Sequence, residues 1–346
     1  MGVDRNFPYA FGRMDKGERN LITDVPGVKV GHYTIHEGEI HTGVTALLPY
    51  EGDIFHEKLM AAAHVINGFG KTAGLVQVQE LGTIETPLVF TNTLSVGAAW
   101  DALARFMIEK NADIGLTTGT VNPVVFECND SHLNDIRGFH IEEAHVRAAL
   151  DCASDTFAEG AVGAGAGMSC YSLKGGIGSA SRTFSLYDHQ YTLGVLTLTN
   201  FGSLRDFTVG GAHIGPKLYE KLHAKDEPDK GSVIIVIATD APLSDRQLLR
   251  AAKRAQSGLA QTGSISGNGS GEIALAFTTA NRVFHKSNGR PVGLLQLHED
   301  DMDTVFRAVI ECVGESVVSS MFHAARTVGR AGNIRESLKE LLEEGI

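Results

Sequence analysis

The sequence predicts an α/β protein, because short β-type runs alternate with longer helical patterns along all 346 residues. The hydrophobic fraction of 43% and the charged fraction of 21% are those of a soluble globular chain that can bury a full core. By length alone the chain could form one large domain or two small ones. No Pro/Ser-rich linker and no long repeat divides it.

Alternating and β-branched patterns predict the strands, and a 3.6-residue periodicity predicts the helices. The predicted strands span residues 28–33, 44–48, 74–79, 121–127, 169–173, 191–199, 232–238 and 272–278. The predicted helices span residues 96–110, 142–158, 245–261 and 302–328. The last helix is rich in Val, Ala and other small residues, so we expect it to pack against a sheet.

Charge and cysteine usage exclude several classes of partner. The chain carries 30 Lys and Arg against 41 Asp and Glu, a net charge of −11, so it has no general attraction for nucleic acid or anionic membranes. The N-terminal segment lacks the apolar core of a signal peptide, and the most apolar run, 233–238, is too short to span a bilayer. The four cysteines form no CxxC pair, so we expect reduced thiols in a cytoplasmic protein.

One segment interrupts the alternation of strands and helices. Residues 221–230 (KLHAKDEPDK) are highly charged and include a proline, a composition typical of an exposed, mobile loop. The pair Gly231-Ser232 follows, and then an apolar run typical of a strand buried on both faces. The chain could therefore be cut at this junction while Ser232 stays anchored at the start of a strand.

Common catalytic motifs are absent from the sequence. It contains no HExxH zinc motif, no GxSxG nucleophile elbow and no GxxxxGK[ST] phosphate loop. The Gly-rich run 163–167 resembles a dinucleotide loop only loosely, and close backbone packing near an active site explains it better. The fourteen histidines are scattered, and only His140 with Glu143 hints weakly at a paired site. We therefore predict neither a metal nor an organic cofactor.

A serine that has no histidine partner still needs a base to take its proton. One solution is an N-terminal serine, whose own α-amine, with a pKa of about 7.7–8.0, accepts the proton. Gly231 suits a precursor in which Ser232 attacks the preceding carbonyl, because a residue without Cβ tolerates strained backbone. Taken alone, however, Gly-Ser before a strand is most simply an ordinary strand entry.

Eight runs, in order along nearly the whole chain, carry a resemblance to a known family. They are LITDVPGVKVGH (21–32), TGVTALLP (42–49), GTIETPLVFTNTLSVG (82–97), ECNDSHLND (127–135), GAGAGMSCYSLKGGIGSASR (163–182), LTNFG (198–202), GSVIIVIATDAPL (231–243) and GSGE (269–272). In these runs the chain resembles the DmpA-like family of L-aminopeptidase/D-esterases and β-peptidyl aminopeptidases. The ATDAPL and TNTLSVG runs are specific, and eight ordered matches are hard to obtain by chance.

The resemblance implies a four-layer αββα sandwich, shared with the ornithine acetyltransferases and formed by one domain over 1–346. It also implies self-cleavage between Gly231 and Ser232 into an α chain, 1–231, and a β chain, 232–346. The expected assembly is a homotetramer of αβ units. The implied activity is the release of N-terminal L-, D- or β-amino acids from peptides, amides or esters, without a metal or cofactor.

The resemblance also assigns roles to matching positions. Ser232 would be the nucleophile, Ser270 and Glu272 would orient it and tune its amine, and Asn200 would donate to the oxyanion. An Asn amide is a donor of fixed geometry, and losing one such donor typically costs about 10²–10³ in rate. Ser270 and Glu272, at i and i+2, would share one face of a strand, from which Glu272 can change the pKa of the amine.

Three residues of the ECND run are candidates for substrate binding. We expect Glu127 to bind the substrate's free amine, with Asp130 as the second choice, although Glu127 could equally be a structural acid in a turn. Asn129 stands where some family members carry Tyr near the nucleophile, so a role for a tyrosyl hydroxyl is in doubt here. Two alternatives stay open. One is an acyltransferase of the ornithine acetyltransferase type, which Ser rather than Thr at position 232 disfavours, and the other is an uncleaved, inactive binding homologue.

Overall fold

The structure, a computed structural model, describes residues 10–225 and 231–345, so half of the predicted loop 221–230, residues 226–230, lies outside the described residues. Its strands are β1 (Lys29–Glu37), β2 (Ile40–Leu48), β3 (Glu57–Gly68), β4 (Thr83–Ile84), β5 (Leu88–Asn92), β6 (Val124–Cys128), β7 (Ser169–Cys170), β8 (Leu173–Lys174), β9 (Gly176–Leu186), β10 (His189–Asn200), β11 (Thr208–Val209), β12 (Ala212–His213), β13 (Ser232–Thr239), β14 (Gly271–Phe284), β15 (Thr327–Val328) and β16 (Ile334–Arg335). Its helices are α1 (Leu75–Leu81), α2 (Val96–Lys110), α3 (Glu143–Asp151), α4 (Gly215–Lys221), α5 (Asp245–Ala260), α6 (Met302–Phe322) and α7 (Leu338–Glu343).

Two stacked sheets form the centre of the fold. One sheet has the strand order β1-β2-β5-β6, and the other has the order β4-β3-β14-β13-β10-β9. Helices α2 and α3 cover the outer face of the first sheet, and α5 and α6 cover the outer face of the second. Strand β6 of the smaller sheet contacts β10 and β13 of the larger one. The layers therefore run helix, sheet, sheet, helix, which confirms the predicted αββα sandwich.

Strand β13 shows how the sequence builds this layering. It runs parallel to β14 on one side and antiparallel to β10 on the other, and every one of its residues is buried. Because side chains alternate along a strand, Ile234 and Val236 join the core between the sheets. Ile235 and Ile237 join the second core under α5 and α6. The predicted burial of this apolar run on both faces is confirmed.

The predicted helices 96–110 and 245–261 are confirmed within one residue. Helix α5 begins with a capping box, in which the side chain of Ser244 accepts from the backbone N–H of Gln247 and the side chain of Gln247 accepts from the backbone N–H of Ser244. Helices α3 and α6 end before their predicted ends at 158 and 328. Tertiary pairing explains both differences, since Ser154 forms a bridge with β1 and Thr327 begins β15.

Two strand predictions are corrected. Residues 74–79 lie mostly in α1, which starts from Gly74 at φ 90°, because a short run of alternating apolar residues fits either structure. Residues 169–173 do not form one strand, because Tyr171 and Ser172 adopt positive φ and turn the chain between β7 and β8. Within the described residues, no helix has the length and apolar character needed to cross a membrane.

Strands β3, β5 and β9 are not among the predicted strands. In β9 the reason is its glycine content, which weakens a strand pattern read from sequence. A methyl group on Gly178 would lie 1.9 Å from the carbonyl oxygen of Ser316 in α6. The glycine is therefore required for α6 to lie directly on the sheet, and that requirement is visible only in three dimensions.

Candidate active site

Three strand ends meet at one edge of the larger sheet. Ser232 begins β13, Asn200 ends β10 and Gly271 begins β14. The pairing register places Ser232 opposite Asn200 on one side and opposite Gly271 on the other. A parallel neighbour starts at the same edge and an antiparallel neighbour ends there, so the ladder alone brings these residues together. Ser232 and Asn200 are nearly buried, with 5% and 9% of their surface exposed.

Gly231 is packed tightly against the end of β10. A methyl group at this position would lie 1.9 Å from the carbonyl oxygen of Asn200 and 2.5 Å from the Cα of Phe201. Close approach of two backbones therefore requires glycine here, and the role of backbone strain in the attack stays a prediction. Its carbonyl oxygen accepts a bond of 3.1 Å from the backbone N–H of Gly271.

The side-chain amide of Asn200 is held at both ends. Its Oδ1 accepts from the backbone N–H of Ser169 at 2.9 Å, and its Nδ2 donates to the carbonyl oxygen of Asn129 at 2.9 Å. These two contacts fix the assignment of oxygen and nitrogen in the amide. An amide nitrogen carries two hydrogens, so one N–H of Asn200 remains for a ligand beside Ser232.

Ser270 and Glu272 flank Gly271 on the strand next to Ser232. Both side chains are fully buried, and Ser270 Oγ donates to Glu272 Oε1 at 3.2 Å. Ser264 Oγ contacts the same carboxylate oxygen at 3.4 Å. The register of β14 against β3 shifts immediately after Glu272, and such bulges redirect side chains near functional sites. The predicted contact between Ser270 and Glu272 is present, whereas their catalytic roles stay predictions.

Glu127 lies on β6 of the smaller sheet and is 3% exposed. Its carboxylate accepts from the backbone N–H of Lys71 at 2.8 Å and from the hydroxyl of Thr93. Neither donor carries a charge, so these contacts orient the carboxylate without neutralising it. Gly70 lies between Glu127 and the edge of the larger sheet where Ser232 begins β13. A methyl group on Gly70 would lie 3.5 Å from Glu127 Oε1 and 3.8 Å from Cα of Gly271, the residue paired with Ser232.

The two residues after Cys128 differ in exposure. The side chain of Asn129 is exposed and accepts from the backbone N–H of Ser131 at 3.0 Å, so it caps its own turn. Asp130 is fully buried and accepts from Asn134 at 3.0 Å. Burial raises the pKa of the Asp130 carboxyl to about 7, and bonds from Thr42 and Asn134 oppose this shift. The contacts of Asp130 are with the protein interior, and its role toward substrate stays a prediction.

Cys128 touches the predicted nucleophile and was missed by sequence reasoning. Its thiol donates to the carbonyl oxygen of Leu198 at 3.7 Å. Burial raises the pKa of the Cys128 thiol well above its usual value, Glu127 adds to the shift, and a hydrogen bond from Ser232 opposes it. The thiol therefore stays protonated and neutral behind the serine. Its place inside the matched ECND run was the only signal in the sequence.

Lys174 is the second residue that sequence reasoning missed. It is fully buried, and its Nζ donates to the carbonyl oxygens of Gly165, Met168 and Gly175 at 3.0, 2.8 and 2.7 Å. Lys174 is the only charged residue between Glu159 and Arg182, which was a usable signal. The run 163–167 packs its backbone against β2, and a methyl group on Gly167 would lie 2.2 Å from the carbonyl oxygen of His41.

The histidines and acids in the described part of the chain do not gather into a metal site. Within residues 10–225 and 231–345, no group of three or more His, Cys, Asp or Glu side chains is arranged to hold a metal ion. His36 and His41 contact each other at 2.8 Å through their Nδ1 atoms on the β1–β2 hairpin. The weak pair His140 and Glu143 is not bonded; His140 lies 3.5 Å from Asp135 instead.

Comparison with known proteins places this geometry in context. Peptidase family S58 matches residues 20–335 of the chain. The β-peptidyl aminopeptidase BapA of Sphingosinicella microcystinivorans is 36% identical over 339 residues, covering 91% of this chain and 84% of that protein. A Burkholderia sp. β-aminopeptidase structure superposes with a TM-score of 0.88 at 38% identity and covers 98% of both chains.

A second solved structure with a described activity has the same fold. The L-aminopeptidase D-Ala-esterase/amidase of Ochrobactrum anthropi, described as a prototype for the serine aminopeptidases and as a variant of the Ntn hydrolase fold, superposes with a TM-score of 0.88. It is 33% identical and covers 96% of each chain. A Pyrococcus horikoshii protein is 48% identical with a TM-score of 0.92 and covers 97% of this chain and 96% of that one.

Proposed function

The chain belongs to peptidase family S58 and is a serine aminopeptidase with an N-terminal-nucleophile hydrolase fold, and from this we propose that it creates its nucleophile, Ser232, by cutting itself after Gly231. The cut would yield an α chain of residues 1–231 and a β chain of residues 232–346. The mature enzyme would release N-terminal L-, D- or β-amino acids from peptides, amides or esters. Its relatives named for β-peptides and for L-amino acids and D-Ala esters support this range of substrates.

The observation that carries the proposal is the setting of the Gly231–Ser232 bond. Ser232 is anchored in the central strand of the larger sheet, with an amide donor, Asn200, on one side. The carbonyl oxygen of Gly231 accepts the N–H of Gly271 on the other side. A cut here would leave a new N-terminus in the sheet, beside the groups that an acyl-transfer reaction requires.

Self-cleavage would begin with attack of Ser232 Oγ on the carbonyl carbon of Gly231. The negative charge that develops on the Gly231 oxygen is stabilised by the N–H of Gly271, which already points at it. Collapse of the intermediate breaks the peptide C–N bond and leaves an ester on Ser232 Oγ and a free α-amine. Water then hydrolyses the ester, which gives a carboxylate on Gly231 and restores the hydroxyl of Ser232.

Hydrolysis of substrate would use the same atoms in a second cycle. The α-amine of Ser232 takes the proton of Oγ as it attacks the substrate carbonyl, and passes it to the leaving amine. The N–H of Asn200 that its other contacts leave available stabilises the oxyanion. Glu272, bonded to Ser270 next to the new N-terminus, sets the orientation and the pKa of the amine. Water finally releases the acyl group from Ser232.

Glu127 would bind the free amine of the substrate. Its buried carboxylate is oriented by two neutral donors, Lys71 N–H and the Thr93 hydroxyl, and a substrate ammonium would supply the missing positive charge. This contact would restrict the enzyme to the first residue of a peptide, because an internal peptide bond has no ammonium nearby. Asn129, whose side chain caps its own turn, contributes through its carbonyl oxygen, which holds Asn200.

The acyltransferase alternative is not favoured, since the named relatives are peptidases and amidases. We further propose that the enzyme acts in the cytoplasm as a homotetramer of αβ units. The absence of a CxxC pair among the four cysteines supports a reducing compartment. Light scattering of the purified protein would test the assembly, and a mass of two or one αβ units would contradict it.

Intact-mass spectrometry under denaturing conditions tests the self-cleavage. We expect two species whose masses sum to that of the precursor plus one water, with the smaller species beginning at Ser232. Ser232→Ala should remain a single chain and should not hydrolyse an aminoacyl p-nitroanilide. A single uncut chain that persists on long incubation in the unmodified protein would contradict the proposal.

Ser179→Ala is a matched control for Ser232→Ala. Ser179 also lies buried in the larger sheet, where its hydroxyl donates to Val195 O and accepts from Ile22 N–H, both at 2.7 Å. It is far along the sheet from the cleavage junction, so this variant should cut itself and hydrolyse substrate. Loss of cleavage in both variants would mean that the effect reports damage to the sheet.

A further inference from the structure

The hydrogen bonds that hold Asn200 lead to a buried lysine, Lys174. Asn200 Oδ1 accepts from the N–H of Ser169, and the carbonyl of the same peptide group, that of Met168, accepts from Lys174 Nζ at 2.8 Å. The chain of contacts therefore runs from the lysine through one backbone amide to the side-chain amide of Asn200, the residue paired with Ser232. Each amide in such a chain polarises the next, which strengthens its hydrogen bonds.

The geometry points to Lys174 as a positioning residue that strengthens the oxyanion donor Asn200 through the Met168–Ser169 peptide group. Its positive charge draws electron density toward the carbonyl oxygen of Met168, which makes the N–H of Ser169 a better donor. That N–H in turn polarises Asn200 and makes its Nδ2 hydrogens more positive. The effect grows with the negative charge on the substrate oxygen, so it acts in the transition state more than in the ground state.

The contacts of Lys174 require an ammonium group. Nζ donates to three carbonyl oxygens at 2.7–3.0 Å, and a neutral amine could donate to only two. Burial lowers the pKa of Lys174 to about 7, and the Asp130 carboxylate opposes this shift, so it is the three acceptors around Nζ that favour the charged form. Asp130 is itself fully buried, with a pKa raised to about 7, and in its ionised form it supplies a counter-charge to the lysine.

Lys174 also shapes the loop that carries Ser169. Strands β7 and β8 form a hairpin in which Ser169 pairs with Lys174, and Met168 O accepts a second bond from Gly175 N–H at 3.1 Å. Arg335 contacts Ser169 Oγ at 3.1 Å from the opposite side. Because other bonds hold this hairpin, the loop can keep its position when the charge alone is removed.

The test is a double-mutant cycle with Lys174→Gln and Asn200→Ala, measured on an aminoacyl p-nitroanilide that the unmodified protein hydrolyses. Gln keeps donor hydrogens for the carbonyls and removes the charge. We expect Lys174→Gln to lower kcat about 10- to 100-fold, less than complete loss of an oxyanion donor, with KM within about twofold. In the Asn200→Ala background the same change should lower kcat less than about threefold, because the residue that relays the charge is gone.

Lys58→Met and Lys174→Met provide a matched pair for stability. Lys58 lies on β3, at the end away from the Ser232 edge, and its largely buried side chain forms an ion pair with Glu85. Loss of this lysine should therefore leave kcat unchanged. Thermal unfolding and near-UV circular dichroism of each variant establish that the fold is kept. If Lys174→Met does not fold, the comparison rests on Lys174→Gln and on Lys174→Arg, which retains the charge and should recover kcat relative to Gln.

The proposed role of Lys174 rests on the role of Asn200 in the proposed function, and the double-mutant cycle separates the two roles. If Asn200→Ala keeps its kcat, the oxyanion assignment fails. If Asn200→Ala is strongly impaired while Lys174→Gln is not, only the role of Lys174 fails. Equal losses from Lys174→Gln in both backgrounds, or a change in KM alone, would also overturn it. The proposed self-cleavage uses the N–H of Gly271 and not Asn200, so Lys174→Gln should still cut itself. A folded Lys174→Gln chain that stays uncut would contradict the proposed role of Lys174.

Discussion

Two fully buried cations, Lys174 and Arg182, stand eight positions apart in the same run of sequence and have opposite surroundings. Arg182 meets two carboxylates of α6, Glu311 at 3.0 Å and Glu315 at 2.6 Å. Lys174 meets only carbonyl oxygens of its own loop, with Asp130 nearby. The difference shows that a buried charge can join distant segments, or can act on the dipoles of one short loop.

The Arg182 network would join the two chains that self-cleavage produces. Arg182 belongs to residues 1–231, whereas Glu311 and Glu315 belong to residues 232–346. The same network reaches the N-terminal arm, because Arg182 donates to Phe11 O at 2.8 Å and Glu311 accepts from the backbone N–H of Arg13 at 3.1 Å. The side chain of Lys174 donates only within residues 165–175, although its backbone N–H donates to Glu336 O at 2.9 Å, so its charge acts on one loop and joins no second chain.

Arg182→Met should give the largest effect. It leaves the buried carboxylate of Glu311 without its cation and that of Glu315 with only Lys16, at 2.5 Å, and breaking a buried ion pair from one side typically costs about 3–5 kcal/mol. Urea unfolding should show this loss as a large fall in the midpoint, and the cleaved protein should release its two chains at lower urea. A midpoint within error of the unmodified protein would mean that the network does not stabilise the junction.

Arg147→Met is the matched control for Arg182→Met. Arg147 also contacts two carboxylates, Glu109 at 2.6 Å and Glu143 at 2.8 Å, but all three side chains are partly exposed. Exposed pairs are worth about 0–1 kcal/mol, so the urea midpoint should barely move. Equal losses in the two variants would remove the distinction between buried and exposed networks.

Glu127 extends the comparison of Lys174 with Arg182 to a buried acid. Like Lys174, it is held by uncharged hydrogen-bonding groups, whereas Arg182 is held by carboxylates. Glu127→Gln keeps the shape and removes the charge that we assign to the substrate ammonium. A hydrogen bond to a charged group contributes about 1.5–3 kcal/mol, so kcat/KM should fall about 10- to 150-fold. Steady-state kinetics on an aminoacyl p-nitroanilide measures this fall.

Glu159→Gln is the control for Glu127→Gln. Glu159 is likewise buried and accepts from a backbone N–H, that of Ser179, and from the hydroxyl of Ser319, both at 2.7 Å. It lies between β9 and α6, so this variant should keep kcat/KM. If Glu127→Gln behaves like Glu159→Gln, Glu127 is a structural acid and the substrate amine is bound elsewhere.

The smallest effect is expected at an exposed cluster, His56 between Asp53 and Asp113. Hydrogen bonds to Asp53 and then to Asp113 raise the pKa of His56 above its usual value. A raised pKa means that the folded protein holds the proton more tightly, so the stabilisation is fully present below about pH 6.5 and is lost as pH rises beyond the folded pKa. His56→Gln should lower the urea midpoint at pH 6 and have less effect at pH 8.5. An equal difference at both pH values would show that the charge of His56 is not involved.

The strongest elements of the fold could be predicted because their patterns are local. The helices at 96–110 and 245–260 and the buried strand at 232–239 follow from periodicity, a capping box and a continuous apolar run. The short segment at 74–81 could not be predicted, because an alternating run of its length is compatible with either a strand or a helix. Strand β9 could not be predicted because of its glycines, of which Gly178 is required for close contact with α6 and Gly176 for close contact with Gly160.

The candidate site divides in the same way. The Gly231-Ser232 junction, the GSGE run and the single lysine between Glu159 and Arg182 can all be read in the sequence. Strand register places Ser232 opposite Asn200 and Gly271. The stacking of the two sheets brings Cys128 into contact with Ser232. The link from Lys174 through the Met168–Ser169 peptide to Asn200 joins residues from three strands. Sequence alone determined the layered α/β fold and the family, and it predicts the Gly231-Ser232 junction, because these depend on local patterns and ordered motifs. Only the tertiary structure decided which polar groups meet at the junction, because hydrogen bonds are short and directional and require register to be set first.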